Sequence, residues 1–133
     1  MKAVEAELTA LVEKMLNKEI NDREDVMVVV EGEKDRKVLI SLGVTSDKII
    51  VYSSLNLDNI VKRLEAKKIK ELVILTDFDK EGKKIEKRLI EICHMLGINP
   101  NASLKRKIFS EIFKNTGKSI TSVENLIKIT KHR

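Results

Sequence analysis

The chain has 133 residues, a length that fits one domain with a hydrophobic core of its own. Hydrophobic residues make up 42% and charged residues 35%, which is typical of a folded globular protein and argues against disorder. No apolar run approaches the length of a membrane span, the N-terminus lacks a signal-peptide core, and the single Cys93 excludes an internal disulfide. We therefore expect a cytoplasmic protein.

The net charge of +5 is unevenly distributed along the chain. Residues 1–100 contain 18 Lys and Arg against 19 Asp and Glu, whereas residues 101–133 contain 8 basic residues against 2 acidic ones. A local basic excess favours a polyanionic partner, nucleic acid first, although a solubilising surface shows the same pattern. Aromatic residues are only 3%, so stacking platforms for single-stranded bases are poorly supported. Charge alone leaves the partner open.

Apolar periodicity predicts alternating helices and strands over the first hundred residues. Residues 3–20 carry apolar side chains at the spacing of an amphipathic helix. Strands are then predicted at 26–30, 48–52 and 72–76, each followed by a helix, at 34–42, 57–66 and 82–96. This alternation predicts an α/β fold with three layers, α/β/α, around a central, mainly parallel sheet.

After residue 100 the pattern is purely helical. Ser103 is expected to cap a helix over 104–113 with Phe113 facing inward, and Thr121 with Glu124 predicts a capping box for a last helix. We expect these helices to pack on the sheet. Residues 1–133 are therefore predicted to be one domain, with an N-terminal helix at 1–20, a core at 26–96 and a basic helical segment at 101–133.

Two carboxylates, Asp77 and Asp79, follow the apolar run of the third predicted strand, and Gly82 comes next. Residues two apart in extended backbone point the same way, so both carboxylates face one site. Like charges held together cost free energy unless a cation neutralises them, and Mg²⁺ is the usual cation where phosphates take part. The simpler alternative is a cap for the next helix, but one Asp is enough for a cap. The pattern therefore favours a metal site.

Glu31 and Gly32 stand directly after the first strand, as Asp77 stands after the third. In a sheet of order 2-1-3 these two strands are neighbours and the order reverses between them, which is where open α/β sheets bind ligands. This topology brings Glu31 to Asp77 and Asp79. Gly32 and Gly82 are expected to keep Cβ atoms away from tight backbone turns or from a phosphate.

The segments VVVEGEKD at 28–35 and LTDFDKEG at 75–82 resemble the two motifs of the Toprim domain. Topoisomerases of types IA and II, bacterial primases, ribosomal-RNA maturases and recombination mediators share this Rossmann-like fold. The resemblance covers residues 26 to 96, and the size and basic end of the chain look like the small archaeal Toprim-only proteins. It implies that Glu31 is a general acid/base or metal ligand, and that Asp77 and Asp79 coordinate Mg²⁺ or Mn²⁺.

The same resemblance implies Mg²⁺-dependent phosphodiester chemistry on RNA or DNA, of the nuclease or nucleotidyl-transfer type. A complete topoisomerase is excluded because Tyr52 is the only tyrosine and ends a predicted strand, and one Cys with two His cannot form the zinc site of a primase. The alternative is a noncatalytic module that binds nucleic acid or a larger protein assembly. Clustered acids favour the enzyme, whereas the small size favours the module.

Basic side chains near these motifs are candidate contacts to a phosphate backbone. Lys80, between Asp79 and Gly82, is the best placed, and residues 105–107 form the densest cluster. The candidates are Lys34, Lys80, Lys83, Lys105, Arg106 and Lys107.

Overall fold

The computed structural model describes residues 2–119 and 123–126. The strands are β1 (Val26–Val30), β2 (Ile49–Val51), β3 (Glu71–Ile74) and β4 (Asn99–Asn101). The α-helices are α1 (Lys2–Leu16), α2 (Glu33–Ser41), α3 (Leu57–Ala66), α4 (Lys80–Leu96) and α5 (Ser103–Thr116). Short helical turns lie at Asn17–Asn21, Ser46–Lys48, Tyr52–Ser54 and Val123–Asn125. Among the described helices, none has the length and apolar character needed to cross a membrane.

The four strands form one parallel sheet in the order β2-β1-β3-β4. The predicted 2-1-3 order is therefore confirmed, and the order reverses between β1 and β3. Their register pairs Val29 with Ile74, so both strands end at the same edge of the sheet.

Both faces of the sheet are covered, which confirms the three-layer α/β/α architecture. In β1, Val26, Val28 and Val30 pack into one core, whereas Met27 and Val29 pack into the other. Helices α1, α2 and α5 contribute to the first core, and α3 and α4 contribute to the second. A strand buried on both faces explains the unbroken apolar run of β1.

The sequence predicted no strand after 72–76, which is wrong: β4 is a fourth strand, parallel to β3. Its sequence, Asn-Pro-Asn, is poor in strand-forming residues, and proline is tolerated because β4 lies at the edge of the sheet. The Asn99 amide donates to the Lys70 carbonyl at 2.8 Å, and the Asn101 side chain donates to Glu71 Oε2 at 2.9 Å. Hydrogen bonds to residues distant in the sequence, and not the strand preference of its own residues, therefore stabilise β4.

Three helix details also differ from the sequence predictions. Ser103 does not cap α5: the N-cap position is Ala102, and the side chain of Asn101 accepts from the Ser103 and Leu104 amides at 3.0 and 3.1 Å. Phe113 is 56% exposed and does not face inward. Helix α4 begins at Lys80, two residues before the predicted start, because Asp79 caps it. Thr121, half of the predicted capping box, lies outside the described residues.

Candidate metal centre

Glu31, Asp77 and Asp79 lie together at the edge of the sheet where β1 and β3 end. One carboxylate oxygen from each of them falls within 4.8 Å of the others. Glu31 and Asp77 are half-buried, and Asp79 is exposed. The convergence expected from the 2-1-3 order is therefore present, while the roles of these residues stay a prediction.

The backbone between β3 and α4 and the first turn of α4 hold this acidic centre (Glu31, Asp77 and Asp79). The Asp77 amide donates to Glu31 Oε2 at 2.6 Å, which ties the end of β1 to the end of β3. The Gly82 amide donates to Asp79 Oδ1 at 2.7 Å, so Asp79 is the N-cap of α4. Capping and metal binding, weighed as alternatives from the sequence, are compatible here because a carboxylate has two oxygens.

Asp77 is the most perturbed acid of the centre. Burial, together with the negative charges of Glu31, Asp35 and Asp79, raises its pKa to about 7. Its Oδ1 is buried without a hydrogen-bond partner among the described residues. A buried carboxylate oxygen without a donor costs free energy, and a cation is the ligand that would satisfy it. These observations fit a hard divalent metal bound by carboxylate oxygens.

Gly82 allows the close approach between α4 and the end of β3. A Cβ at this position would lie 2.7 Å from the carbonyl carbon of Asp77 and closer still to its oxygen. At Gly32, by contrast, an added Cβ would meet only Asp35 Oδ2 at 3.9 Å, and the backbone is extended. The chain's own packing therefore requires glycine at Gly82 and not at Gly32.

Asp35 is a buried acid of the first motif to which the sequence assigned no site role. Its Oδ2 accepts from the Gly32 amide at 3.1 Å, which closes the first turn of α2 directly after Glu31. Its charge also contributes to the raised pKa of Asp77. The EGxxD spacing was the available signal, since a carboxylate at the third position of a helix reaches back to the cap.

The predicted nucleic-acid contacts divide into two groups. Lys34, Lys80, Lys83, Arg106 and Lys107 are exposed. Lys105 is 0% exposed, and its ammonium donates to Glu86 Oε1 at 2.7 Å and to the Thr76 carbonyl at 2.8 Å. The prediction that Lys105 contacts a phosphate backbone is wrong, because its side chain points into the core and its charge is already paired.

Arg63, in α3, lines an open groove beside the β2 edge of the sheet. The groove measures about 490 Å³ and also contains Arg36, whose guanidinium is paired with Glu33 at 2.7 Å. None of Glu31, Asp77 and Asp79 lines this groove. The groove residues are Glu33, Arg36, Ser46, Asp47, Ile49, Val51, Ser54, Leu55 and Arg63.

Sequence comparisons with known proteins show the family to which the chain is similar. The sequence model of the Toprim domain matches residues 26–112, which extends past the predicted 26–96 to include β4 and most of α5. A UPF0292 protein of Methanocaldococcus jannaschii is 33% identical over 112 residues, covering 84% of each chain. A UPF0292 protein of Archaeoglobus fulgidus is 38% identical over 100 residues, covering 75% of this chain and 73% of the relative.

One solved structure, described as a putative protein from Aquifex aeolicus, is similar with a TM-score of 0.64. The match covers 90% of this chain and 94% of the other. Sequence identity is 20%, so this likeness concerns the fold alone.

Proposed function

This chain belongs to the Toprim domain family, and from that premise we propose that it is a Mg²⁺-dependent enzyme that cleaves or transfers phosphodiester bonds in nucleic acid. The observation that carries the proposal is the acidic centre, where three carboxylates converge and the buried Asp77 Oδ1 lacks a donor among the described residues. A purely structural module gains nothing from crowding like charges that raise the pKa of Asp77 to about 7.

The residues of the centre have distinct tasks in this proposal. Asp77 and Asp79 would hold the cation, which when bound supplies positive charge against the phosphate and lowers the pKa of water. Glu31 moves protons as general acid or base, and the Asp77 amide fixes its carboxylate in place. Mn²⁺ is the natural substitute because it accepts the same oxygen ligands.

Exposed lysines at the start of α4 support a nucleic-acid substrate. Lys80 and Lys83 lie in the first turn of α4, directly after Asp79. In this proposal their positive charges contact the backbone of the nucleic acid whose phosphate is held at the acidic centre. Lys34, in the first turn of α2 and three residues after Glu31, is also exposed. Contacts of this kind position a backbone without reading its sequence.

The test is incubation of the protein with labelled RNA and DNA panels, with Mg²⁺ or Mn²⁺ and with a chelator. We expect metal-dependent cleavage or transfer that falls roughly a hundredfold or more in Glu31→Gln, the scale of losing a general acid–base group. Nucleic-acid affinity should hold, because Glu31→Gln removes a negative charge near the phosphates.

Glu33→Gln is the matched control, since it removes one nearby negative charge from an exposed residue outside the acidic centre. Equal activity of the two variants would refute the role of Glu31. If the wild type shows no turnover with any substrate or metal but binds nucleic acid, the noncatalytic module is the correct function.

A further inference from the structure

The peptide group between Thr76 and Asp77 forms a hydrogen bond at each end. Its carbonyl oxygen, on Thr76, accepts a hydrogen bond from Lys105 Nζ at 2.8 Å. Its N–H, on Asp77, donates to Glu31 Oε2 at 2.6 Å. A buried cation on α5 is thus joined through one peptide group to a carboxylate of the acidic centre.

Every described contact of the Lys105 ammonium is to the segment that carries the aspartates or to the helix that follows it. Besides the carbonyl, Nζ lies 3.3 Å from Thr76 Oγ1 and 4.5 Å from the centre of the Phe78 ring. Glu86 on α4 neutralises its charge at 2.7 Å. Phe78 in turn packs edge-on against Phe109 of α5, with ring centres 5.1 Å apart. Lys105 therefore contacts Thr76 and Phe78, the residues on either side of Asp77, and meets the Thr76–Asp77 peptide group at the end opposite Glu31.

A fully buried ammonium group fills space in a core at a high cost in desolvation free energy. Desolvation costs several kcal/mol, and an apolar side chain of similar volume is often as stable or more stable. The Lys105–Glu86 pair is thus weak evidence for stability alone. Its geometry instead orients one peptide plane, and the donor on one side of that plane strengthens the bond on the other side by polarisation.

We propose that Lys105 is a positioning residue of the acidic centre: it fixes the Thr76–Asp77 peptide plane so that Asp77 and Glu31 stay at the separation a divalent cation requires. This rests on the proposed function only in that the centre binds such a cation. Replacing a residue that orients metal ligands without binding the metal itself typically lowers metal affinity roughly 10- to 100-fold.

The experiment compares wild type with Lys105→Met, which replaces lysine by an unbranched apolar side chain one atom shorter and removes the charge. We expect Mg²⁺ affinity measured by calorimetry to fall at least about tenfold. The direction of the change in Mg²⁺ affinity is diagnostic, because loss of a nearby positive charge would by itself raise cation affinity. Lys114→Met is the control: Lys114 lies on the same helix and pairs with Glu111, but its side chain is 69% exposed. Its affinity should equal that of the wild type.

The second readout needs no metal and separates this proposal from the proposed function. In ¹⁵N NMR spectra of metal-free protein, the proton of the Asp77 amide should move upfield in Lys105→Met, as its bond to Glu31 weakens, and stay in place in Lys114→Met. An unmoved Asp77 amide in folded Lys105→Met overturns the proposal. Absence of Mg²⁺ binding by the wild type overturns the proposed function instead, while the amide shift still decides the role of Lys105.

If Lys105→Met does not fold, the connection between Lys105 and Glu31 is tested by changing Glu31 and observing Lys105. Glu31→Gln should shift the Lys105 ammonium resonance through the shared peptide group, whereas Glu33→Gln should not. A Lys105 resonance that is unchanged in Glu31→Gln refutes the proposal.

Discussion

Gly82→Ala adds one methyl group at the most crowded backbone position next to the acidic centre. The new Cβ would lie 2.7 Å from the Asp77 carbonyl carbon and 3.0 Å from the Asp77 nitrogen, with the carbonyl oxygen closer still. Either Asp77 or the first turn of α4 must therefore shift by about 1 Å. Overpacking of this kind costs about 3 kcal/mol at the upper end of its range. Alanine is more favourable than glycine in a helix by about 1 kcal/mol, so the free energy of unfolding should fall by about 2 kcal/mol in total.

For a domain of this size, that loss corresponds to a Tm lower by roughly 8 °C. A shift of either Asp77 or the start of α4, which carries Asp79 as its cap, changes the spacing of the carboxylates, so divalent-cation affinity should fall at least about tenfold. Thermal unfolding followed by circular dichroism and calorimetric titration with Mg²⁺ measure the two effects.

Gly32→Ala is the matched control, because it adds the same methyl group at the other motif glycine. Its Cβ meets nothing nearer than 3.9 Å, and the extended backbone suits alanine. The unfavourable change at the helix cap and the lower entropy of the unfolded chain roughly cancel, so its free energy of unfolding should stay within about 0.5 kcal/mol of wild type. The reasoning is refuted if Gly82→Ala melts and binds Mg²⁺ like Gly32→Ala.

Further outcomes are expected for pH, metal and salt. Because the pKa of Asp77 is raised from 3.8 in the unfolded chain to about 7, its contribution to stability is present below pH 3.8 and is lost as pH rises through 7. Metal-free Asp77→Asn should therefore melt above wild type at pH 8, with the difference shrinking toward pH 4; a constant difference would contradict the raised pKa. Calorimetry should detect Mg²⁺ binding to wild type and none to Asp77→Asn/Asp79→Asn, and equal heats would place the metal elsewhere. If Arg106 and Lys107 contact phosphates, Arg106→Gln/Lys107→Gln should make the slope of log affinity against log salt shallower by about 0.7 to 0.9 for each phosphate that is no longer neutralised; an unchanged slope assigns them to the solvated surface.

The sequence alone determined the strands and helices whose residue pattern follows directly from their own burial. The apolar run of β1 predicted its bounds, 26–30, and the periodicity of α3 predicted 57–66 to the residue. A strand buried on both faces admits only apolar residues, and an amphipathic helix must repeat its stripe. Carboxylates placed directly after two such strands then located the acidic centre, because parallel strands in a 2-1-3 order end at one edge.

Only the tertiary structure decided the parts that depend on partners distant in the sequence. Asn99–Asn101 becomes a strand because β3 offers it an open edge, against the preference of its own residues. Asp79 both caps α4 and faces Glu31, which follows from where α4 begins.

Lys105 shows the difference most directly. Beside Arg106 and Lys107 in the sequence it is one of three equivalent basic residues, and their net charge suggests a surface. Of these three, only Lys105 faces the interior, where Glu86, 19 residues away, and Thr76, 29 residues away, accept its hydrogen bonds. Charge and composition are properties of the chain, whereas burial and pairing are properties of the packing, and the packing places this lysine behind the acidic centre.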